Sequence, residues 1–167
     1  GWEYINIDDG WEAPERTKGG EILSNDKFPD FKALTDYIHG LGLKFGIYSS
    51  PGATTCGGHV GSYQHEEIDA RTWERWGVDY LKYDYCGYLD IEKDSKEETI
   101  QEPYIVMRNA LDKVKRDIVF CVGYGAPNVW NWAAEAGGNQ WRTTRDITDE
   151  WNVVTAIGTF QDVCADA

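Results

Sequence analysis

The sequence predicts a parallel α/β fold of the (β/α)8-barrel type, present as a partial barrel of about five βα units. Three observations carry this. Strand and helix patterns alternate along the chain at a spacing of roughly 35–40 residues, the repeat of a βα unit. No G-x-G-x-x-G or Walker loop follows the first strand, as a doubly wound nucleotide-binding sheet would require. Every strand instead ends on polar groups: Asp8 and Asp9, then Tyr48, then Lys82 and Asp84, then Arg142 and Asp146. A barrel gathers its strand ends into one ring of this kind. A whole barrel takes about 250 residues, so the 167 here are expected to be one piece of a single barrel domain.

The first strand is read over 4–7, apolar and closed by Asp8-Asp9-Gly10. Adjacent side chains on a strand point opposite ways, so the two acids can share a site only if the strand has already ended. Residues 15–29 are polar and form a loop. A helix then starts at Pro29-Asp30, with Phe31, Leu34, Ile38 and Leu41 on one stripe, and Gly40 and Gly42 end it. The second strand covers 43–48 and runs into a Gly-rich loop that holds Cys56 and His59. A helix over 66–76 is expected to turn Ile68, Trp73 and Trp76 inward. Gly77 closes it, and the central strand follows as Tyr-Leu-Lys-Tyr-Asp-Tyr-Cys, residues 80–86. Past an acidic loop over 90–98, a helix is read from Pro103 to Lys115 through Val106, Ala110, Leu111 and Val114, since Pro is tolerated in a first turn. A strand over 118–122 ends at Gly123-Tyr124-Gly125. A short Trp-rich helix over 129–136, a fifth strand over 140–143 and a helix capped by Asp149 complete the chain.

Composition narrows the function classes. Apolar content of 41% and aromatic content of 14% describe a folded domain. Eight Trp and ten Tyr suit sugar binding as well as ordinary core packing. The net charge of −13 repels phosphate backbones, so nucleic acid is not an expected partner. No apolar run approaches the about 20 residues that a membrane helix takes. The four Cys form no C-x-x-C pair and the three His lack ligand spacing, so no zinc site or cofactor is expected; paired thiols or one disulfide remain open.

The chemistry centres on Asp84 and Asp146, each at a strand end and each preceded by a cation, Lys82 or Arg142. Lys82 and Asp84 are two apart and therefore share a face. They could close the barrel as a salt bridge, or Lys82 could keep Asp84 ionised for attack. Two carboxylates on one pocket are the minimum for glycoside hydrolysis, and in the retaining form they stand about 5–5.5 Å apart. The proton donor of such a pair starts protonated, so Asp146 is expected to be less well paired or more desolvated than Asp84. Two Asp could equally bind a divalent metal.

The stretches YINIDDGW, KFPDFKALTDYIHGLGLKFGIYSSPG, the Cys of TTC, DARTWERWGVDYLKYDYC and QWRTTRDI resemble glycoside hydrolase family 27, the melibiase or α-galactosidase family, nearly end to end and in family order. The resemblance implies a (β/α)8 barrel followed by a β domain, and retaining cleavage of α-galactosides, small or oligosaccharide. It makes Asp84 the nucleophile and Asp146 the acid/base. It assigns Asp8 and Asp9 to the sugar 4- and 6-hydroxyls, Lys82 to the 3- and 4-hydroxyls, Arg142 to the 2-hydroxyl side and Tyr48 to the pocket lining. It pairs Cys56 with Cys86 in a pocket-wall disulfide, and with that bond an extracytoplasmic location is expected. The family's first βα unit, last strands and β domain fall outside this chain, and the segment alone is expected to be catalytically poor.

Two departures bear on substrate. Where the family often has Glu or Gln with an aromatic, this chain reads Val122-Gly123-Tyr124-Gly125-Ala126. Small residues there resemble the α-N-acetylgalactosaminidase pattern, although they could instead serve the loop's backbone. Arg145, beside the acid/base, stands where a small residue is common. A non-catalytic galactose-binding barrel is the remaining alternative.

Overall fold

A computed structural model describes residues 1–93, 96–125 and 128–164. Five strands form one sheet: β1 (Tyr4–Asn6), β2 (Lys44–Ser49), β3 (Tyr80–Tyr83), β4 (Val119–Val122) and β5 (Gln140–Trp141). Every neighbouring pair is parallel, and the spatial order is the chain order. A doubly wound sheet reverses its strand order at a switch point. None occurs among these strands, so the sheet curls one way only, as in a barrel wall.

Side-chain alternation divides the sheet into two faces. Phe45 and Ile47 of β2, Leu81 and Tyr83 of β3, and Phe120 and Val122 of β4 belong to the buried apolar core beneath the helices. The other parity carries Tyr48, Lys82 and Cys121, which are register partners in one row. Asp8, Asp84, Gly123 and Arg142 continue that parity just past their strands. One periodicity thus supplies both the core and the ring of site residues.

The helices are α1 (Phe31–Gly40), α2 (Glu66–Trp76), α3 (Glu97–Leu111) and α4 (Trp151–Phe160). Asp30 caps α1 by accepting from Ala33 N at 2.9 Å. Its buried face is Phe31, Thr35 and Ile38, whereas Leu41, expected inward, is 59% exposed because the helix has ended before it. α2 has the expected bounds and closes on Gly77, whose φ of 87° is left-handed. Its inner face is Asp69, Ala70, Thr72 and Trp73, with Ile68 and Trp76 only half-buried.

α3 corrects the sequence reading more strongly. It begins six residues before Pro103, which lies inside it rather than in its first turn. The buried stripe is Tyr104, Met107, Ala110 and Leu111, and Val106 is exposed. The expected Trp-rich helix is a single 3-10 turn, Val129–Asn131, and β5 has two residues rather than four. α4 starts after Glu150, with no side-chain cap, and buries none of its residues.

Candidate active site

Asp84 sits at the mouth of β3 with its backbone held on both sides. Its N–H donates to Ser49 O at 2.9 Å, and its carbonyl accepts from Tyr104 Oη at 3.1 Å. Its carboxylate accepts from Tyr85 N on Oδ1 (2.9 Å) and from Tyr48 Oη on Oδ2 (3.1 Å). Tyr48 is pinned in turn, because Trp11 Nε1 donates to its carbonyl at 2.9 Å. Burial first, and then the charges of Asp84 and Asp9, push the Tyr48 hydroxyl far above its ordinary range, so it stays a donor.

Lys82 does not pair with Asp84 in this arrangement. Its ammonium donates to Asp8 Oδ2 at 2.8 Å and lies 5.1 Å from the centre of the Tyr48 ring. The side chain leans along the row towards β1, where Asp8 has left the strand. Burial pushes the Asp8 carboxyl up, but the Lys82 hydrogen bond, the Asp9 N–H and the Lys82 charge outweigh it and hold the group below its ordinary value. Asp8, Lys82, Tyr48 and Asp84 therefore form one connected wall.

Asp9 points into the loop after β2. It accepts from Gly10 N (2.9 Å) and Thr55 Oγ1 (2.8 Å) on Oδ1, and from Gly57 N (2.6 Å) on Oδ2. A carboxylate has about four lone-pair sites, so about one remains for a ligand. Within the same loop Cys56 is bonded to Cys86, with Cα atoms 5.0 Å apart, and the Cys56 sulfur lies 3.4 Å from Asp84 Oδ2. Cys121 is a buried free thiol in β4.

The opposite wall comes from the ends of β4 and β5. Asp84, Tyr85, Gly123, Tyr124, Gly125, Arg142, Arg145 and Asp146 line one cavity of about 360 Å³. Both candidate catalytic carboxylates therefore open on a single space. Asp146 differs from expectation: its side chain is 91% exposed and accepts from Arg142 at 2.5 Å. It is neither poorly paired nor desolvated, because among the described residues β5 is the edge of the sheet and no element covers it. A Cβ on Gly123 would lie 2.7 Å from Tyr83 O and 2.9 Å from the Asp84 Cα. Its smallness thus serves the close approach of the β4 backbone to β3. Ala126 lies outside the described residues.

The family model described as Alpha galactosidase A matches residues 1–166. The chain belongs to the alpha-galactosidase A family. It is 47% identical to an alpha-galactosidase A from Cellvibrio japonicus, covering 91% of this chain and 36% of that protein. Its fold is similar to the crystal structure of alpha-galactosidase I from Mortierella vinacea, with a TM-score of 0.85 and 39% identity over 91% of this chain and 38% of that one. It is also similar to an α-galactosidase from Saccharomyces cerevisiae whose structure was determined with raffinose, with a TM-score of 0.82 and 31% identity over 89% of this chain and 32% of that one. The chain thus spans about a third of the length of these relatives, and its five strands match part of the barrel in the two solved structures.

Three residues that support this candidate site were not singled out in the sequence. Arg16 makes a bidentate pair with fully buried Asp69 (2.5 and 2.8 Å) and donates to the carbonyls of Gly20 and Gly61. One guanidinium thereby ties the loop after β1, the loop after β2 and α2 together. The sequence held a signal, since Asp69, Trp73 and Trp76 fall at i, i+4 and i+7, and an acid in an apolar stripe needs a partner. Glu12 had no such signal. It is buried, accepts from Gly10 N at 3.1 Å and leaves Oε1 without a partner. Burial, with the Asp9 charge adding to it, pushes its carboxyl up to about 7.

Proposed function

We propose that this chain carries the two catalytic carboxylates of a retaining glycoside hydrolase that releases terminal α-linked galactose from small or oligosaccharide α-galactosides. The observation that carries the reading is that Asp84 and Asp146 open on one cavity from opposite walls, the Asp84 wall also holding Tyr48 and the Lys82–Asp8 pair. The raffinose in the yeast relative supports an oligosaccharide substrate.

Asp84 attacks the anomeric carbon as the glycosidic C–O bond breaks, and Asp146 gives its proton to the leaving oxygen. The result is a galactosyl ester on Asp84. Asp146, now ionised, takes a proton from water. That water displaces Asp84 at the same carbon, and two inversions give net retention. Tyr48 donates to the Asp84 carboxylate before attack and after release. Asp8 and Lys82 bind hydroxyls of the sugar, with the remaining acceptor position of Asp9 beside them, and Arg142 and Tyr124 line the far side. The exposed, Arg-paired Asp146 must become protonated before it can act as the acid. A leaving group seated over it would desolvate it and compete for Arg142.

The galactose reading is preferred over the N-acetylated one because the backbone contacts of Gly123 already account for its size. The Cys56–Cys86 bond supports an oxidising compartment.

The test uses the complete reading frame that contains this sequence, assayed on matched aryl α-galactosides. Asp84→Asn should lower kcat by on the order of 10⁴-fold or more. Asp146→Asn should hurt substrates with poor leaving groups far more than those that need no proton. The first-formed product should be α-galactose by NMR. A β product, or activity only on the N-acetylated glycoside, would overturn the reading.

A further inference from the structure

The cysteine bridge sits unusually close to a reacting group. Cys56, Asp84 and Cys86 have their ligand atoms within 4.8 Å of one another. In the oxidised chain the sulfurs carry no proton and are not thiolates, so the contact to Asp84 is packing. Reduction would convert the same three side chains into two thiolates and a carboxylate.

The loops that carry them are held together without the bridge. Ser50 Oγ donates to the Cys86 carbonyl, and Ser62 N and Tyr63 N donate to the Ser50 and Gly52 carbonyls. A Cβ on Gly52 would lie 2.4 Å from the Gly87 backbone, and one on Gly87 would lie 2.3 Å from Thr54 O. The two backbones touch at these glycines, one residue from Cys86 and within four of Cys56. Asp9 clamps Thr55 and Gly57 on either side of Cys56. The thiols would therefore stay face to face after the bond is cut.

Their spacing suits a tetrahedral metal. With Zn–S near 2.3 Å and Zn–O near 2.0 Å, two thiolates on one zinc stand about 3.8 Å apart, and a sulfur and an oxygen about 3.5 Å apart. Sulfurs released from a bond must separate to about the first distance simply to avoid overlap. Asp84 Oδ2 already lies 3.4 Å from the Cys56 sulfur, close to the second.

We propose that Cys56, Cys86 and Asp84, once the disulfide is reduced, form a three-ligand site for a thiophilic divalent cation such as zinc, with the fourth position left to water. The reduction is a two-electron step supplied by a dithiol or phosphine: the S–S bond breaks, each cysteine sulfur is left as a thiolate, and two protons go to solvent as the dithiol becomes a disulfide or the phosphine becomes its oxide with an oxygen from water. The cation then takes the Asp84 oxygen that the proposed hydrolysis uses. The disulfide accordingly excludes such metals from the nucleophile. Only this last consequence rests on the hydrolase reading.

The experiment reads metal binding rather than turnover. The complete protein that contains this sequence is reduced with a phosphine, desalted without oxygen and titrated with Co²⁺. We expect sulfur-to-cobalt charge-transfer absorption with tetrahedral visible bands, saturating at one equivalent and displaced by Zn²⁺. The signal should be absent from the oxidised chain, lost in Cys56→Ser and Cys86→Ser, and kept in the Cys121→Ser/Cys164→Ser double variant. Asp84→Asn should weaken binding by at least about tenfold, more than the loss of an outer-shell partner does. Two further titratable thiols on reduction and unchanged circular dichroism, with no such absorption, would overturn the proposal. So would absorption that survives Cys56→Ser, or unfolding on reduction, since the loops were argued to hold without the bridge.

Discussion

Two Arg–Asp pairs in this chain close at the same distance, 2.5 Å, and they do opposite things. Arg16–Asp69 is buried, with side-chain exposures of 11% and 0%, and its guanidinium also satisfies two loop carbonyls. Arg142–Asp146 is open, with exposures of 26% and 91%. The first pair braces the wall that carries Asp8, Tyr48 and Asp84. The second lies on the wall formed by β5, where two strand residues and an unburied α4 give little support. Distance does not rank an ion pair. What water would do for each partner, if the other were removed, does.

The largest effect is therefore expected at Arg16. Arg16→Met keeps the stem and removes the charge, leaving Asp69 buried with no cation and two carbonyls without their donor. Breaking a buried pair in this way costs about 3–5 kcal/mol. The midpoint of urea unfolding should fall accordingly, and a loss under about 1 kcal/mol would show that water reaches Asp69. The double variant Arg16→Met/Asp69→Leu should recover much of the loss, because it removes the stranded charge as well.

A smaller effect, in the same braced wall, should appear as a pH slope. The Glu12 carboxyl is raised by burial from 4.5 to about 7. Between these values the unfolded chain has released a proton that the folded chain keeps, so stability falls as pH rises through that window. The fall is at most about 3 kcal/mol, complete above the folded value. Below 4.5 both states are protonated and nothing changes. Glu12→Gln should flatten this part of the profile, so that the variant gains on the wild type from pH 5 to pH 8. If the difference between the two proteins does not vary with pH, Glu12 is ionised in the fold.

The two walls were also unequally legible in sequence. The placing of Asp8, Tyr48, Lys82, Asp84 and Arg142 at strand ends followed from the alternation of strand and helix patterns and from turn residues, and the shared face of Lys82 and Asp84 from period two, which are local signals. The disulfide partner came from resemblance rather than spacing. The partner of Lys82 could not be read, because Lys82 can reach Asp84 two residues on or Asp8 two strands away, and only the curl of the sheet selects Asp8. The start of α3 was misread by placing Pro103 in its first turn; Ala110 and Leu111 are buried as expected, but they share their face with Tyr104 and Met107, and Val106 lies off it. Glu12 was invisible because its role lies in contacts between loops, which no periodicity encodes; Arg16 was open to inference only as the unnamed partner that Asp69 needs in its apolar stripe.

The smallest effect on stability is expected at Asp146, the residue whose loss should matter most to turnover after Asp84. Asp146→Asn removes one charge from an exposed pair at an unbraced edge, where such pairs are worth about 0–1 kcal/mol and salt screens them further. In a chain of net charge −13, removing an acid also relieves some self-repulsion, which offsets part of the lost attraction. The unfolding midpoint in 0.5 M salt should therefore match that of the wild type within experimental error, while the complete protein loses activity most on substrates whose leaving group needs a proton. A destabilisation as large as that of Arg16→Met would mean that the β5 wall is braced after all, and the contrast between the two pairs would fail.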